Sequence, residues 1–145
     1  MKLGEINNMK IRPIKPEDLS FIYSTWSRGQ YHGYSPHSVI NKQLFFKEYS
    51  KITSNILKHP STHVYITCLP DAEDIILGYV VIQNNVLHWI YVKQAWRNKG
   101  ISKLMLEFFK DGLKYHTGIT DNSFSFLSKL GLTYNPFLLY INTYE

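Results

Sequence analysis

Three consecutive segments in the middle of the chain have the β-branched and aromatic composition of strands, and they constrain the fold more than any other feature. They are His63–Leu69, Ile75–Gln83 and Val86–Lys93. The polar residues 70–74 separate the first two, and Asn84-Asn85 separates the second from the third. Asparagine tolerates the left-handed backbone that two-residue hairpin turns require. The sequence therefore predicts an antiparallel three-stranded meander.

Helices and further strands are predicted on both sides of this meander. Pro16 suits a first helical turn, apolar residues follow it at helical spacing, and the glycine-containing segment Ser27–Pro36 then predicts a loop. The other predicted elements are a strand Lys10–Ile14, a helix His37–Lys58, a helix Gly100–Gly112, a strand Tyr115–Thr120, a helix Phe124–Leu130 and a last strand Tyr134–Tyr144. This order predicts one α+β domain over residues 9–145, with a mixed central sheet, antiparallel in the middle, and helices on both faces. Residues 1–8 are polar and without periodicity, so we expect a poorly ordered N-terminal extension.

Composition excludes several classes of protein. The 145 residues are 44% hydrophobic and 15% aromatic, which is too apolar for a disordered chain. Cys68 is the single cysteine, and the six histidines have no spacing typical of zinc ligands. The longest apolar stretch, Ile75–Ile82, is far shorter than the roughly 20 residues of a membrane helix, and residues 1–8 lack an apolar signal segment. These features predict a soluble cytoplasmic protein with no metal and no membrane partner.

A basic cluster at Lys93–Lys103 lies where the third strand runs into the next helix. The chain has a net charge of +5, which favours an anionic partner such as nucleic acid, acidic lipid or a phosphorylated cofactor. Amides at a helix start lack intrahelical acceptors, and the peptide dipoles add roughly half a positive charge there. Gly100 has no Cβ to obstruct an anion, and Arg97, Lys99 and Lys103 add full charges. The pattern predicts a phosphate site, although neither GxxxxGK[ST] nor GxGxxG is present.

The same stretch resembles the signature of the GNAT N-acetyltransferase superfamily, [Gln/Arg]-x-x-Gly-x-[Gly/Ala], which follows the fourth strand there. Here it reads Arg97-Asn98-Lys99-Gly100-Ile101-Ser102. Met9–Asp18 resembles the family's opening strand with Pro-Glu-Asp, and Phe126–Leu132 is similar to its late helix ending in Lys-Leu-Gly-Phe. The element order agrees over most of the chain. The resemblance implies the GNAT fold and an N-acyltransferase that moves an acetyl group from acetyl-CoA to a primary amine by direct transfer in a ternary complex.

The resemblance also implies which residues hold the cofactor. In the family the pantetheine arm pairs with the end of the fourth strand, a role that falls here to Ile90, Tyr91 and Val92. The family's pantetheine-contacting asparagine corresponds to Thr120, and we assign its role to the nearby Asn122. The pyrophosphate-binding residues are Arg97, Asn98, Lys99, Gly100, Ile101, Ser102 and Lys103. Apart from the family, the same residues also fit an ordinary helix-start glycine with a solvated basic face.

His88 is the candidate general base. Its ordinary pKa lies near ambient pH, and it lies on the strand where the family often places a base. Regular alternation puts His88 on the same face as Val86, Ile90 and Val92, and the competing interpretation is a hydrogen-bonded histidine in a buried strand. The general acid is undetermined, because the family's usual tyrosine position is Leu127. Water, another tyrosine or a serine such as Ser128 are the remaining candidates.

The acceptor-binding residues are predicted in the loop after the first helix. The resemblance implies that this loop lines the acceptor pocket, and Trp26, Tyr31 and Tyr34 offer aromatic surfaces there, with Arg28 and His32 beside them. These aromatic residues equally fit a role in packing over the core. The positive charge favours an acceptor that is anionic or associated with nucleic acid. The alternative function is a GNAT-fold binding protein with weak or no activity, which binds CoA, nucleic acid or a protein partner.

Overall fold

The computed structural model describes the backbone of residues 8–143 and the side chains of residues 8–140. The predicted N-terminal extension, except for Asn8, lies outside the described residues. Tyr144, the predicted end of the last strand, also lies outside them.

Six strands and four α-helices form in the described part of the chain. The strands are β1 (Lys10–Pro13), β2 (Thr62–Cys68), β3 (Gly78–Gln83), β4 (Val86–Val92), β5 (Tyr115–His116) and β6 (Thr133–Tyr134). The helices are α1 (Leu19–Gly33), α2 (Lys42–Lys58), α3 (Ile101–Phe109) and α4 (Phe124–Lys129). Short 3₁₀ segments span Pro16–Asp18, Ser35–Val39, Gln94–Trp96 and Pro136–Thr143.

The strands form one mixed sheet in the order β1-β2-β3-β4-β5-β6. The pairs β1–β2, β2–β3 and β3–β4 are antiparallel, which confirms the predicted meander. β5 runs parallel to β4, and β6 runs parallel to β5. Parallel neighbours need a crossover connection, and α3 and α4 supply the two that are needed. The predicted α+β class with a mixed central sheet is confirmed.

Apolar side chains cover both faces of the sheet, because neighbouring residues of a strand point to opposite sides. On one face, Tyr79 and Val81 of β3 pack with Trp26 of α1 and with apolar residues of α2. On the other face, Val80 packs in a cluster with Met105 of α3. The sheet is therefore buried between α1 and α2 on one side and α3 and α4 on the other.

A β-bulge interrupts the alternation of β4 at His88. Val81 pairs with Trp89 and Ile82 with Leu87, so His88 has no partner residue on β3. The extra residue puts His88 and Trp89 on the same face, where the His88 ring lies 6.5 Å from that of the core residue Trp26. Ile90 packs in the cluster on the opposite face. The predicted shared face of His88 and Ile90 was therefore wrong.

Helix α1 is longer than predicted, because it continues through the segment Ser27–Pro36 as far as Gly33. A Cβ on Gly29 would lie 2.7 Å from a ring carbon of Trp89, and one on Gly33 would lie 2.9 Å from the Thr120 methyl group. These glycines therefore allow the helix to approach the sheet closely. The two glycines favoured a loop because the sequence alone does not show that contact.

Several predicted boundaries also differ from those observed. After β6, Asn135 Oδ1 accepts a hydrogen bond from the Phe137 amide at 3.3 Å, and a 3₁₀ segment replaces the predicted last strand. Proline at position 136 removes a donor that a strand would use. Helix α2 begins at Lys42 rather than at residue 37, because the side chain of Asn41 caps it by accepting from the Leu44 amide at 3.0 Å.

A buried ion pair fastens β1 to the start of α1. Arg12 donates from Nη1 to Asp18 Oδ2 at 2.8 Å and from Nη2 to Asp18 Oδ1 at 3.2 Å. The same carboxylate accepts from the Lys15 amide at 2.8 Å, and Arg12 also donates to the carbonyl of Glu73. Every charge of the pair is hydrogen-bonded, as burial requires.

Candidate functional site

The loop between β4 and α3 presents a continuous run of unpaired backbone amides. From Asn98 to Lys103, no amide has an acceptor among the described residues. The first paired amide of α3 is that of Leu104, which donates to the Gly100 carbonyl at 2.9 Å. These donors point out of the positive end of a helix dipole, so this surface can bind an anion.

The backbone of this loop depends on two left-handed residues. Asn98 has φ 60° and Gly100 has φ 83°. Consecutive amides on either side of left-handed residues form a concave donor surface, a known anion-binding geometry. Gly100 meets the backbone requirement without strain, and asparagine is among the few other residues that adopt it readily.

Basic side chains flank the amides in defined positions. Arg97 donates from Nε to the Val92 carbonyl at 2.9 Å, which leaves the far nitrogens of its guanidinium group for an anion. Lys99 places Nζ 5.2 Å from the ring centre of Trp96, a cation–π contact. The side chain of Lys103 extends from the first turn of α3.

The end of β4 next to this loop has an open edge. β5 pairs with β4 only at Val86 and Leu87, and the Thr117 amide makes the last bond, to the Leu87 carbonyl at 3.1 Å. The chain after β5 then bonds to α1, where the Asp121 amide donates to the Gly33 carbonyl at 2.8 Å. No described strand therefore lies beside the last residues of β4.

The ladder with β3 shows which backbone groups reach that open edge. Lys93 donates its amide to the Leu77 carbonyl at 2.8 Å, and Tyr91 pairs with Tyr79. Because backbone groups alternate along a strand, those of Ile90 and Val92 point to the open side. An extended chain carrying amide groups can hydrogen-bond there as an additional strand does.

A cavity of about 350 Å³ lies on the α1–α2 face of the sheet, near the point where β4 and β5 separate. Its apolar lining comes from Ile40, Leu44, Phe45, Ile52, Ile119 and Leu139. Its polar lining includes Gln30, His37, Glu48, Tyr49, Thr117 and Tyr134. Gln30 is held in place by Ile119, since its Nε2 donates to the Ile119 carbonyl at 2.6 Å and its Oε1 accepts from the Ile119 amide at 3.3 Å.

His88 lies below this cavity and is 0% exposed. Its Nδ1 lies 2.8 Å from Thr117 Oγ1, and its Nε2 lies 3.0 Å from Gln83 Oε1. Burial lowers the pKa of His88 to about 4, so the ring is neutral at neutral pH. Thr117 lines the cavity, whereas His88 reaches it only through Thr117.

Comparison with known proteins identifies the fold. No protein-family model matches the chain, and no curated protein matches it in sequence. A predicted acetyltransferase of Clostridium acetobutylicum, solved with acetyl-CoA, is similar with a TM-score of 0.60 and 15% identity over 86% of this chain and 90% of that one. The GCN5-related N-acetyltransferase of Rhodopseudomonas palustris gives 0.61 and 12% over 83% and 78%. A possible acetyltransferase of Clostridium difficile 630 gives 0.57 and 12% over 86% and 90%.

The chain has the GNAT fold. At such low identity the likeness establishes the architecture alone. In this GNAT fold the amide run of residues 98–103 and the open edge of β4 are adjacent, because the loop that carries the amides begins where β4 ends.

The predicted acceptor residues occupy different positions in the GNAT fold from those expected. Trp26 is 0% exposed and belongs to the core, so it cannot contact an acceptor at the surface. Tyr31 donates to the Ile40 carbonyl at 2.9 Å and packs on Phe45. Tyr34 makes an edge contact with the His37 ring. Tyr31 and Tyr34 thus support the loop that lines the cavity and are not part of its lining.

The side chains of Arg28 and His32 lie on the outer side of α1, in a separate groove between α1 and α2. Asn122 is exposed in the turn before α4, and the side chain of Leu127, on α4 itself, is buried. Among the described residues, no three histidine, cysteine or acidic side chains are grouped as metal ligands. No helix within residues 8–143 is both long and apolar enough to span a bilayer.

Sequence reasoning did not identify three polar residues of this site: Gln30, Gln83 and Thr117. Each looks like an ordinary polar residue in its own segment. A signal was present for Thr117, because a polar residue directly after a short buried strand lies at the end of that strand, where sites in such sheets form.

Proposed function

We propose that this chain is an acyltransferase that takes an acetyl group from acetyl-CoA and transfers it to a small amine with an apolar or aromatic body. The observation that carries this proposal is the run of unpaired amides from Asn98 to Lys103 directly beside the open edge of β4. The first feature suits a diphosphate, and the second suits the amide-bearing arm that joins the diphosphate to the thioester.

The donor's binding residues follow from these two features. The amides of residues 98–103 would hold the pyrophosphate, and Arg97, Lys99 and Lys103 would add charge–charge attraction. The backbone groups of Ile90 and Val92 would pair with the pantetheine arm. Because a strand rises roughly 3.3 Å per residue, the part of β4 from His88 to Val92 is about 13 Å long. The donor supplies a thioester, a carbonyl already activated toward attack by an amine.

The cavity on the α1–α2 face supports the choice of acceptor. Most of its lining is apolar, and Glu48 supplies a carboxylate. That combination favours an organic cation whose charged end is near the carboxylate and whose body lies against apolar side chains. An alkylamine with a pKa of about 10.4 costs about 4–5 kcal/mol to neutralise at pH 7, so transfer also requires a group that accepts a proton.

The donor site is tested by a pair of matched variants, Gly100→Glu and Gly131→Glu. Both glycines have φ 83°, so the two substitutions carry the same backbone strain and the same added charge. Thermal unfolding is followed with and without CoA. A ligand at 100 times its Kd stabilises a protein by about 2.7 kcal/mol, which is a shift of several degrees at this size. We expect that shift in the wild type and in Gly131→Glu, and no shift in Gly100→Glu.

Turnover is tested by following free thiol released from acetyl-CoA in the presence of amines. The panel contains phenethylamine and hexylamine as apolar amines, with spermidine and a lysine peptide for comparison. We expect the apolar amines to react fastest, and Glu48→Gln to raise their KM relative to the control Glu107→Gln on α3. CoA binding without thiol release from any amine would instead support a GNAT-fold binding protein. Stabilisation by RNA or DNA but not by CoA would contradict the proposed donor site.

A further inference from the structure

The outer side of the α1–α2 pair carries a groove of about 670 Å³, which shares no lining residue with the cavity on the sheet side. Phe45 of α2 contacts Tyr31 of α1, and Tyr49 contacts Trp26, so the two helices run antiparallel. Residues near the end of α1 therefore lie beside residues at the start of α2.

Basic side chains gather at one end of this groove. Arg28 and His32 line it from the second half of α1, and Lys42 lines it from the first residue of α2. Neither Arg28 nor Lys42 forms an ion pair within residues 8–140. The described lining of the groove contains no acidic residue. The protein therefore leaves the positive charge that faces this groove without a counterion of its own.

The guanidinium group of Arg28 is held in a defined position along α1. Its Nε donates to the Ser24 carbonyl at 3.1 Å, and its Nη2 donates to Ser24 Oγ at 3.1 Å. Nη1 has no acceptor among the described residues and is able to donate to a bound molecule. Because the side chain is already ordered, it loses less conformational entropy on binding an anion than a free side chain does.

Ser27 brings an unpartnered hydroxyl to the same groove. Ser27 is only 8% exposed, yet its hydroxyl makes no hydrogen bond in the described part of the chain. The nearby Thr25 shows the usual arrangement in a helix, since its hydroxyl donates to the Phe21 carbonyl at 2.7 Å. Buried polar groups are nearly always hydrogen-bonded, so the Ser27 hydroxyl marks a position that a bound molecule can satisfy.

Aromatic surface lies beside these donors. Tyr23 lines the groove from α1, and Phe46 lines it from α2. A site that combines cations, a hydroxyl donor and aromatic rings suits an anion attached to a flat apolar body. The charges of Arg28 and Lys42 together match a phosphate monoester, which carries roughly −1.5 to −2 at pH 7 and has three acceptor oxygens. A carboxylate would leave one of the two cations unpaired.

We propose that the groove between α1 and α2 is a binding site for a small phosphate monoester with an aromatic body. Arg28 and Lys42 bind the phosphate oxygens, and the Ser27 hydroxyl donates to one of them. The aromatic body lies against Phe46. The site is distinct from the amide run of residues 98–103, because that run leads into α3 on the opposite face of the sheet. It does not depend on the proposed acyl transfer.

Phenyl phosphate is the probe that tests this site, and proton–nitrogen NMR of labelled protein is the readout. It is titrated at pH 7.5 and constant ionic strength into the wild type and into Gly100→Glu, in which the amide run is obstructed. We expect the amides of residues 20–32 and 42–50 to shift in both proteins. Phenyl phosphate is expected to bind at least about 10-fold more tightly than benzoate, which has one charge fewer, or inorganic phosphate, which lacks the ring.

Matched variants separate a specific site from general charge attraction. The double variant Arg28→Gln/Lys42→Gln is expected to weaken phenyl phosphate binding about 10-fold or more. The control Lys58→Gln/Lys110→Gln removes the same charge from exposed positions outside the groove and is expected to change the Kd less than about 2-fold. Ser27→Ala is expected to weaken binding about 5-fold, and to leave the free protein as stable as wild type because no internal hydrogen bond is lost.

The same measurements contain the results that would overturn the proposal. Equal weakening in the two double variants would mean that phenyl phosphate responds only to net charge. Shifts confined to residues 93–103, and absent in Gly100→Glu, would place the probe at the proposed donor site alone. Single-stranded RNA that shifts the groove amides where phenyl phosphate does not would assign this surface to nucleic acid. Because the readout is binding in the groove, a protein that releases no thiol from acetyl-CoA would overturn the proposed function and leave this site in place.

Discussion

The side-chain amide of Gln30 replaces a strand partner for Ile119, since it donates to the Ile119 carbonyl at 2.6 Å and accepts from the Ile119 amide at 3.3 Å. Gln30→Ala would leave both buried backbone groups without a partner. Each such group costs about 1–3 kcal/mol, so we expect a loss of about 2–4 kcal/mol in the free energy of unfolding. Urea denaturation measures it. Gln43→Ala, at an exposed position of α2, serves as the control and is expected to change stability by less than about 0.5 kcal/mol. Equal effects of the two variants would contradict this account.

Gly118, in the chain after β5, packs directly against the bulge in β4. A Cβ there would lie 2.5 Å from the His88 carbonyl oxygen and 2.6 Å from a ring carbon of Trp89. Backbone and a packed indole have little freedom to move, so Gly118→Ala is expected to cost about 1–3 kcal/mol of stability. It should also change the tryptophan fluorescence. Gly131→Ala, which meets nothing within 4 Å, is expected to lose about 1–2 kcal/mol through its left-handed backbone alone, with an unchanged emission spectrum.

The buried His88 makes folding stability depend on pH in a predictable direction. Burial lowers its pKa to about 4, whereas the unfolded chain protonates histidine near 6.5. The unfolded state therefore binds more protons between these values. The stability contributed by the neutral His88 is fully present above about pH 6.5 and is lost as the pH falls toward 4. The full effect is about 3 kcal/mol. We expect the stability of His88→Gln, measured by urea denaturation from pH 7.5 to 4.5, to fall less steeply than that of wild type. Parallel curves would contradict this assignment.

The ion pair between Arg12 and Asp18 should contribute far more than an exposed pair. Asp18→Asn leaves a buried guanidinium group uncompensated, and we expect a loss of about 3–5 kcal/mol. Glu48→Gln, which breaks the exposed pair with Lys51, is expected to cost less than about 1 kcal/mol. Similar costs for the two substitutions would show that the buried pair has no special role.

Acid should reduce the difference in the free energy of unfolding between wild type and Asp18→Asn. Burial acts to raise the pKa of Asp18, but hydrogen bonds from Arg12 and Lys15 outweigh it and hold the pKa below its ordinary value of 3.8. The stabilisation is therefore present above that pH and is lost as the pH falls below it. Urea denaturation at pH 7 and at pH 2.5 measures the change. A difference as large at pH 2.5 as at pH 7 would contradict the assignment.

Much of the fold could be predicted because local patterns and tertiary packing agree in the central strands. The segments on either side of the turn at Asn84-Asn85 have the residue pattern of strands that are buried on one or both faces. The observed hairpin between β3 and β4 follows that pattern closely. The length of α1 could not be predicted in this way. Gly29 reads as a helix breaker in isolation, and only the nearby indole of Trp89 shows why a glycine is needed inside the helix.

The same distinction between local features and tertiary contacts applies to the candidate site. The basic helix start around Gly100 is a local feature, so its residues could be named from their spacing alone. The group around His88 could not, because its members are contributed by three strands or strand ends and meet only through a register shift. The pattern of β4 gives no sign of the extra residue, and regular alternation assigns His88 to the wrong face.

That one-residue irregularity in β4 has a consequence for how the chain tolerates changes in length. Deleting His88 would remove the extra residue, restore regular alternation and leave Trp89, Ile90 and Tyr91 on the faces that they occupy now, with loss of the buried imidazole. Elsewhere in β4 a deletion would move core side chains to the opposite face, so length changes away from position 88 should be accommodated in the polar connection at residues 70–74.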